Sequence, residues 1–200
     1  MNYLAHAYLS FGNHSLLVGN MIGDFVKGKQ VNQYEISIQQ GISLHKFIDK
    51  KTDSNPLFIE ACSIFKPDFH ISSGIFIDIF FDYFLANHAD YFNEKSLNLF
   101  TQKVYTQLMN RQDLFNERMK TFFNYMKEYN WLYHYRELSG IERSVMGICK
   151  RIPRLGDGTK ALKLFHKHQK TLNDLFNEFF PVLENDTKNY LLERNLLHFR

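Results

Sequence analysis

The segment Gly74–Asp90, GIFIDIFFDYFLANHAD, constrains this chain more than any other. Wound at about 100° per residue, it spreads Phe76, Ile77, Phe80, Phe81, Phe84 and Leu85 over most directions, leaving Tyr83 and Asn87 as a polar exit. A helix that is apolar nearly all round must sit inside a protein core. Asp78 and Asp82 lie one turn apart, away from that exit. Carboxylates in such surroundings cost several kcal/mol unless they are paired, hydrogen-bonded or bound to a cation. The fold therefore has to bring partners to this helix.

The rest of the chain predicts an all-α, single-domain helical bundle over residues 1–200. Apolar spacing is mostly i, i+3, i+4, and only four prolines and ten glycines interrupt it. No period-2 strand run, repeat or low-complexity linker divides it. A short helix is expected in MNYLAHAYLS, then one from Ser15 to Lys27, with Ser15 as its cap and Gly28 at its end. Further helices are expected from about Gln33 to Asp53, from Pro56 to about Phe65 (ended by Lys66-Pro67), over Gly74–Asp90, Asn93–Asn110, Asn116–Tyr129 and Ile141–Arg151, with a short aromatic element at Trp131. Two last helices, Thr159–Phe180 and Pro181–Leu197, should meet at Pro181. No apolar run approaches the ~20 residues of a membrane span, so the chain reads as soluble, cytoplasmic and not membrane-bound. Two cysteines are too few for a disulfide framework or a thiolate metal cluster.

Charge is unevenly placed. Between Arg143 and Lys170, eight Lys or Arg face the single acid Asp157, a surplus of +7 that leaves the remainder at −4 of the overall +3. Such a section suits an acidic partner.

Four segments offer metal-ligand chemistry. In GISLHKFIDKKTD, Gly41 to Asp53, the helical stripe Ile42, His45, Asp49, Thr52 and Asp53 puts a His and an Asp one turn apart. In GNMIGDF, Asp24 follows Gly23 at i−1 and Gly19 at i−5, two residues unfavourable in a helix unless a second backbone or a ligand comes close. With His6, Asp78 and Asp82, these residues make a mixed imidazole and carboxylate set without thiolates. That set suits Mn²⁺, Fe²⁺ or Mg²⁺ better than a structural zinc. Pairs at i, i+4 on facing helices are how helical bundles build such sites.

The blocks MNYLAH, GNMIGDFVKG, GISLHKFID with Thr52-Asp53, Asp78, Asp82-Tyr83-Phe84-Leu85 with His88, and the RIPRL of Arg151 to Leu155 keep their order along residues 1 to about 155. In these the chain resembles the bacterial acyl carrier protein phosphodiesterases, which are similar to an atypical branch of the HD-domain phosphohydrolases. The resemblance implies an HD-domain-like fold and hydrolysis of the phosphodiester that joins 4′-phosphopantetheine to a serine of holo-acyl carrier protein, with Mn²⁺ as activating metal and the acidic carrier protein as partner. The chain departs from an ordinary HD domain at the naming motif, because His45 is followed by Lys46 and the next acid in register is Asp49. Asp24, His45, Asp49 and Asp78 are the expected ligands, with Asp82 and His6 as ligands or supports of ligands. Asp24 or Asp49 is expected to orient the attacking water. Lys27, Lys46, Arg151 and Arg154 are expected to hold phosphate oxygens or the carrier protein. Two rival readings are a phosphohydrolase acting on a nucleotide or other small phosphoester, and a non-catalytic helical module with a basic face for nucleic acid. The second leaves Asp78 and Asp82 without a physical reason for their place.

Overall fold

A computed structural model describes residues 1–197, which form ten α-helices and a few 3-10 turns and no strand among the described residues. The helices are α1 (Tyr3–Tyr8), α2 (His14–Ile22), α3 (Ile36–Asp53), α4 (Pro56–Phe69) and α5 (Ser73–Asn87). The second half holds α6 (Glu94–Met109), α7 (Glu117–Glu128), α8 (Trp131–His134), α9 (Leu138–Arg151) and α10 (Gly158–Leu192). The fold is all-α, as the apolar spacing requires.

Helix α5 lies at the centre, packed against α1, α4, α9 and α10. Phe76, Phe80 and Phe81 are fully buried. Phe80 stacks on Phe165 of α10 at 4.4 Å, and Phe81 meets Phe176 and Phe179, each at 5.4 Å. Such ring pairs contribute about 0.5–1.5 kcal/mol each beyond their burial, so the aromatic content is concentrated where it stabilises most.

Helices α2 and α3 touch backbone to backbone. A Cβ on Gly19 would strike the carbonyl oxygen of Ile38 and lie 2.7 Å from the Cα of Gly41. The close neighbour that these glycines admit is therefore the facing helix.

Several boundaries differ from the sequence expectation, each for a local reason. Asn13, not Ser15, caps α2, its side-chain oxygen accepting the Leu16 N–H at 3.1 Å. Helix α2 ends at Ile22 and tightens into a 3-10 turn over Gly23–Phe25, well short of Lys27. Helix α4 begins as expected, with Asn55 accepting the Leu57 N–H and Pro56 in the first turn, but it runs through Pro67 to Phe69. Pro67 and Ser63, whose carbonyl it frees, are exposed to water, while Phe65 and Phe69 hold the last turn on the core. Helix α10 likewise continues through Pro181 rather than breaking there. Pro181 and Asn177 are exposed, and Phe179, Phe180 and Leu183 are buried on either side of the proline. The non-helical residue in α10 is His168, at φ −112° and ψ 15°.

The stretch Pro56–Asn87 is long and apolar enough by composition to cross a membrane. In the fold it is two helices, parted where His70 takes φ 48°, and 61% of its most apolar window is buried inside the protein.

Candidate metal centre

Four elements converge on one cluster. Asp24 stands in the 3-10 turn after α2, directly behind Gly23. A Cβ on Gly23 would collide with the His45 ring, so this glycine lets the imidazole lie flat against the turn. His45 Nε2 is 3.3 Å from Asp24 Oδ1 and 3.2 Å from Asp49 Oδ2, the acid one turn further along α3. His6 of α1 stacks on His45, with ring centroids 4.2 Å apart and planes 18° from parallel. Its Nε2 reaches Asp49 Oδ1 at 3.1 Å. His6, His45 and Asp49 thus each present one donor atom within 4.8 Å of the others, a group able to hold a metal ion.

The hydrogen bonds around His6 say more. Asn20 gives its amide N–H groups to the His6 carbonyl at 2.7 Å and to Ser10 Oγ at 3.1 Å. Its oxygen therefore faces His6 Nδ1, at 2.7 Å, and accepts that N–H. Burial and the neighbouring His45 charge push His6 down to about 4, so it is neutral at pH 7. A neutral His6 with its proton on Nδ1 aims the Nε2 lone pair at a carboxylate, Asp49, and at the Met1 carbonyl, 3.1 Å away. Three acceptors facing one another suit a cation between them. A ring that donates from one nitrogen and offers the other is also the usual pose of a metal-ligating histidine. The residues fit a divalent ion.

Burial alone would lower the pKa of His45, but Asp24 and Asp49 outweigh it and hold the imidazole up to about 9. Asp49 is held low against its own burial, chiefly by the hydrogen bond from His45. Asp24 is held low, first by the His45 hydrogen bond. Tyr3 of α1 donates its hydroxyl to the other Asp24 oxygen at 3.2 Å.

The two acids of α5 part company. Asp78 reaches the edge of the cluster, its Oδ1 3.0 Å from the Met1 ammonium, which is itself 3.9 Å from Asp49. Asp82 is completely buried and turned elsewhere. Its two oxygens accept the backbone N–H groups of Leu4 at 2.8 Å and Ala5 at 3.1 Å. Those are the second and third residues of α1, whose own cap residue Asn2 makes no side-chain cap bond. Asp82 is thus an N-cap supplied by another helix, and it fixes the helix that carries His6. Burial pushes Asp82 up to about 7, against the pull of those N–H groups. Asp82→Ala should destabilise the protein by roughly 2–4 kcal/mol, because two buried N–H groups lose their acceptor. Asp82→Asn, which keeps one acceptor, should recover part of that in urea denaturation. Native stability in the alanine variant would refute the cap.

A cavity of about 790 Å³ opens beside the cluster. Asp24, His45, Asp49 and Asp78 form its acidic end. Phe122 and Tyr125 of α7, Tyr129 and Trp131 form an aromatic wall, and Arg143, Gly147 and Arg151 of α9 face in beside it. Of the expected substrate-binding residues, Arg151 lines the cavity and acts electrostatically on Tyr3, whereas Lys27, Lys46 and Arg154 are exposed and lie outside its lining. Sequence reading missed Tyr3, Arg143 and the aromatic wall. The signals were present as Phe122, Tyr125 and Tyr129 at i, i+3, i+7, and as Arg143, Gly147 and Arg151 at i, i+4, i+8.

The model of the acyl carrier protein phosphodiesterase family matches residues 1–183, beyond the RIPRL block and into α10. An acyl carrier protein phosphodiesterase of Yersinia pestis is 33% identical over 184 residues, 92% of this chain and 95% of that protein. Proteins of the same name from Photorhabdus laumondii and Serratia proteamaculans are 30% and 31% identical, each over 94% of this chain and 96% and 98% of their own length. No solved structure matches the chain. With more than nine tenths of its length covered by these matches, the chain belongs to the acyl carrier protein phosphodiesterase family.

Proposed function

We propose that this protein is a metal-dependent hydrolase of HD type that converts holo-acyl carrier protein to the apo form by cutting the phosphodiester to 4′-phosphopantetheine. The observation that carries the reading is the meeting of two histidine Nε2 atoms with Asp49 and Asp24 at the mouth of a large cavity. Mn²⁺ is the favoured ion for that oxygen and nitrogen set, with Fe²⁺ or Mg²⁺ as alternatives. A divalent ion bound there lowers the pKa of a water and neutralises phosphoryl charge, which phosphodiester hydrolysis needs.

His6, His45, Asp49 and Asp24 hold the ion, with Asp78 beside them. Asp82 positions His6 from behind through α1. Asp24 or Asp49 orients the attacking water. Arg151, at the Tyr3 end of the cavity, holds a phosphoryl oxygen. Attack of the water oxygen on phosphorus forms one P–O bond and breaks that to the carrier serine oxygen, which leaves as a hydroxyl carrying the proton that the water gives up. Lys27, Lys46, Arg154 and the rest of the basic section meet the acidic carrier protein. Lys160 is already paired with Asp68 at 2.6 Å, while Arg143, Arg151 and Arg154 are exposed and have no acidic partner among the described residues.

Mass spectrometry of holo-carrier protein incubated with the protein and Mn²⁺ tests this directly. The expected result is loss of the phosphopantetheine mass. Intact holo-carrier protein alongside turnover of nucleotides would overturn it.

The pKa of His45 gives a second check. A group raised to about 9 from 6.5 stabilises the metal-free protein fully below pH 6.5, and that stability is lost as pH rises through about 9. At pH 7 the imidazolium must lose its proton before Nε2 can bind an ion, while His6 is already neutral. Metal binding should therefore release about one proton at pH 7, and affinity should rise about tenfold per pH unit towards pH 9. Calorimetry in buffers of different ionisation enthalpy reads both. No proton release would contradict His45 as a ligand.

A further inference from the structure

Gly147 has no reason inside the folded chain. Gly19, Gly23, Gly41 and Gly140 each face an atom that a Cβ would strike, and Gly12, Gly28 and Gly156 take positive φ. Gly147 does neither. It sits within α9, where glycine is unfavourable, and an added Cβ would meet nothing within 4 Å. It also lines the cavity and is exposed, so a side chain there would take up open space at the cavity wall.

We propose that the part of the cavity between the aromatic wall and α9 is the subsite for the pantetheine chain, and that Gly147 keeps it open. This rests on the phosphodiesterase reading above. A volume of about 790 Å³ is within the range that houses a whole small-molecule ligand, far more than a metal ion and a phosphoryl group require. Asp24, Asp49 and Asp78 are gathered around His45 and the Met1 amine, and Phe122, which packs between Tyr3 and Trp131, joins Tyr125, Tyr129 and Trp131 in the lining with Ser144 and Arg143 as hydrogen-bond donors. An uncharged chain with a gem-dimethyl group and two amides matches that mixture of ring faces and donors. Arg151 and Arg143 stand eight residues apart on α9, about 12 Å along its axis. Of the two, Arg151 is the one that acts on Tyr3 and so stands nearer the metal end. Arg151 is left for the phosphoryl group and Arg143 for the amide carbonyls beyond it, with Gly147 between them.

Trp131, the only tryptophan in the chain, lies in this wall and reports on the subsite by its fluorescence. Pantetheine has no phosphate and needs no metal, so its binding is read apart from catalysis. Titration with pantetheine should change Trp131 emission, and Gly147→Leu should weaken that binding at least tenfold, with Gly147→Ala between. The ratio of kcat/KM on holo-carrier protein to kcat/KM on bis(p-nitrophenyl) phosphate should fall at least tenfold in Gly147→Leu. Its melting temperature should match or exceed that of the native protein, since leucine favours the helix. A native emission spectrum unmoved by pantetheine, a stronger response to adenosine, an equal loss on both substrates, or a lowered melting temperature would each overturn the subsite. A protein that binds pantetheine yet leaves holo-carrier protein uncut would overturn the function reading and leave the subsite standing.

Discussion

Asp49→Asn is expected to lower kcat/KM on holo-carrier protein by about a thousandfold or more, with bound metal falling in parallel. Asp49 bridges both histidines, through Oδ1 to His6 and through Oδ2 to His45. An amide in its place removes the charge and turns an N–H donor towards one of the two rings. A donor towards His6 removes the oxygen ligand that Asp49 would supply beside it, and a donor towards His45 takes up the lone pair an ion needs. The fold should survive, because the Asp49 side chain is 41% exposed and the amide has nearly the same shape as the carboxylate. Metal analysis of the purified variant, together with the mass assay, separates loss of the ion from loss of the fold. A variant that keeps native metal content and native turnover would remove Asp49 from the centre altogether.

Gly19→Ala should produce the largest loss of stability, roughly 3 kcal/mol or more. The new methyl group would meet the Ile38 carbonyl oxygen and the Gly41 Cα, both backbone atoms that cannot rotate away as a side chain can. The only relief is separation of α2 from α3. That motion also draws Asp24, at the end of α2, away from His45, one turn beyond Gly41, and a shift of about 1 Å there can cost on the order of a hundredfold in rate. Urea denaturation should show the lowered midpoint, and metal titration a weakened affinity in the fraction that remains folded. An alanine variant with native stability would mean that the two helices are not in backbone contact.

Much of the helical order was legible because it depends on neighbours in the chain. Asn55-Pro56 starts α4, Asn116 caps α7 and Asn93 caps α6, as local hydrogen-bonding chemistry requires. Two of the failed boundaries were prolines, Pro67 and Pro181. A proline ends a helix when the carbonyl it frees is buried, and both of these face water while large rings on the opposite side keep the turn packed. Nothing in the local sequence states which side will face water.

The site divides in the same way. His45 and Asp49 share a stripe of α3 because one helical turn separates them, and Gly19 and Gly23 mark a close approach wherever they stand. Those features follow from backbone geometry within a few residues, and the sequence alone determined them. It also determined that Asp78 and Asp82 need partners, from the rings around them. Which partner each finds was decided only in three dimensions. Asp78 meets the Met1 ammonium at the rim of the cluster, while Asp82 accepts the first N–H groups of a helix almost eighty residues away. The same holds for Arg143, Gly147 and the aromatic wall, which share a cavity with His45 and Asp49 only because α7, α8 and α9 close over them. A turn of helix fixes what its own side chains can reach, but a buried carboxylate takes whichever donor the packing of distant helices delivers.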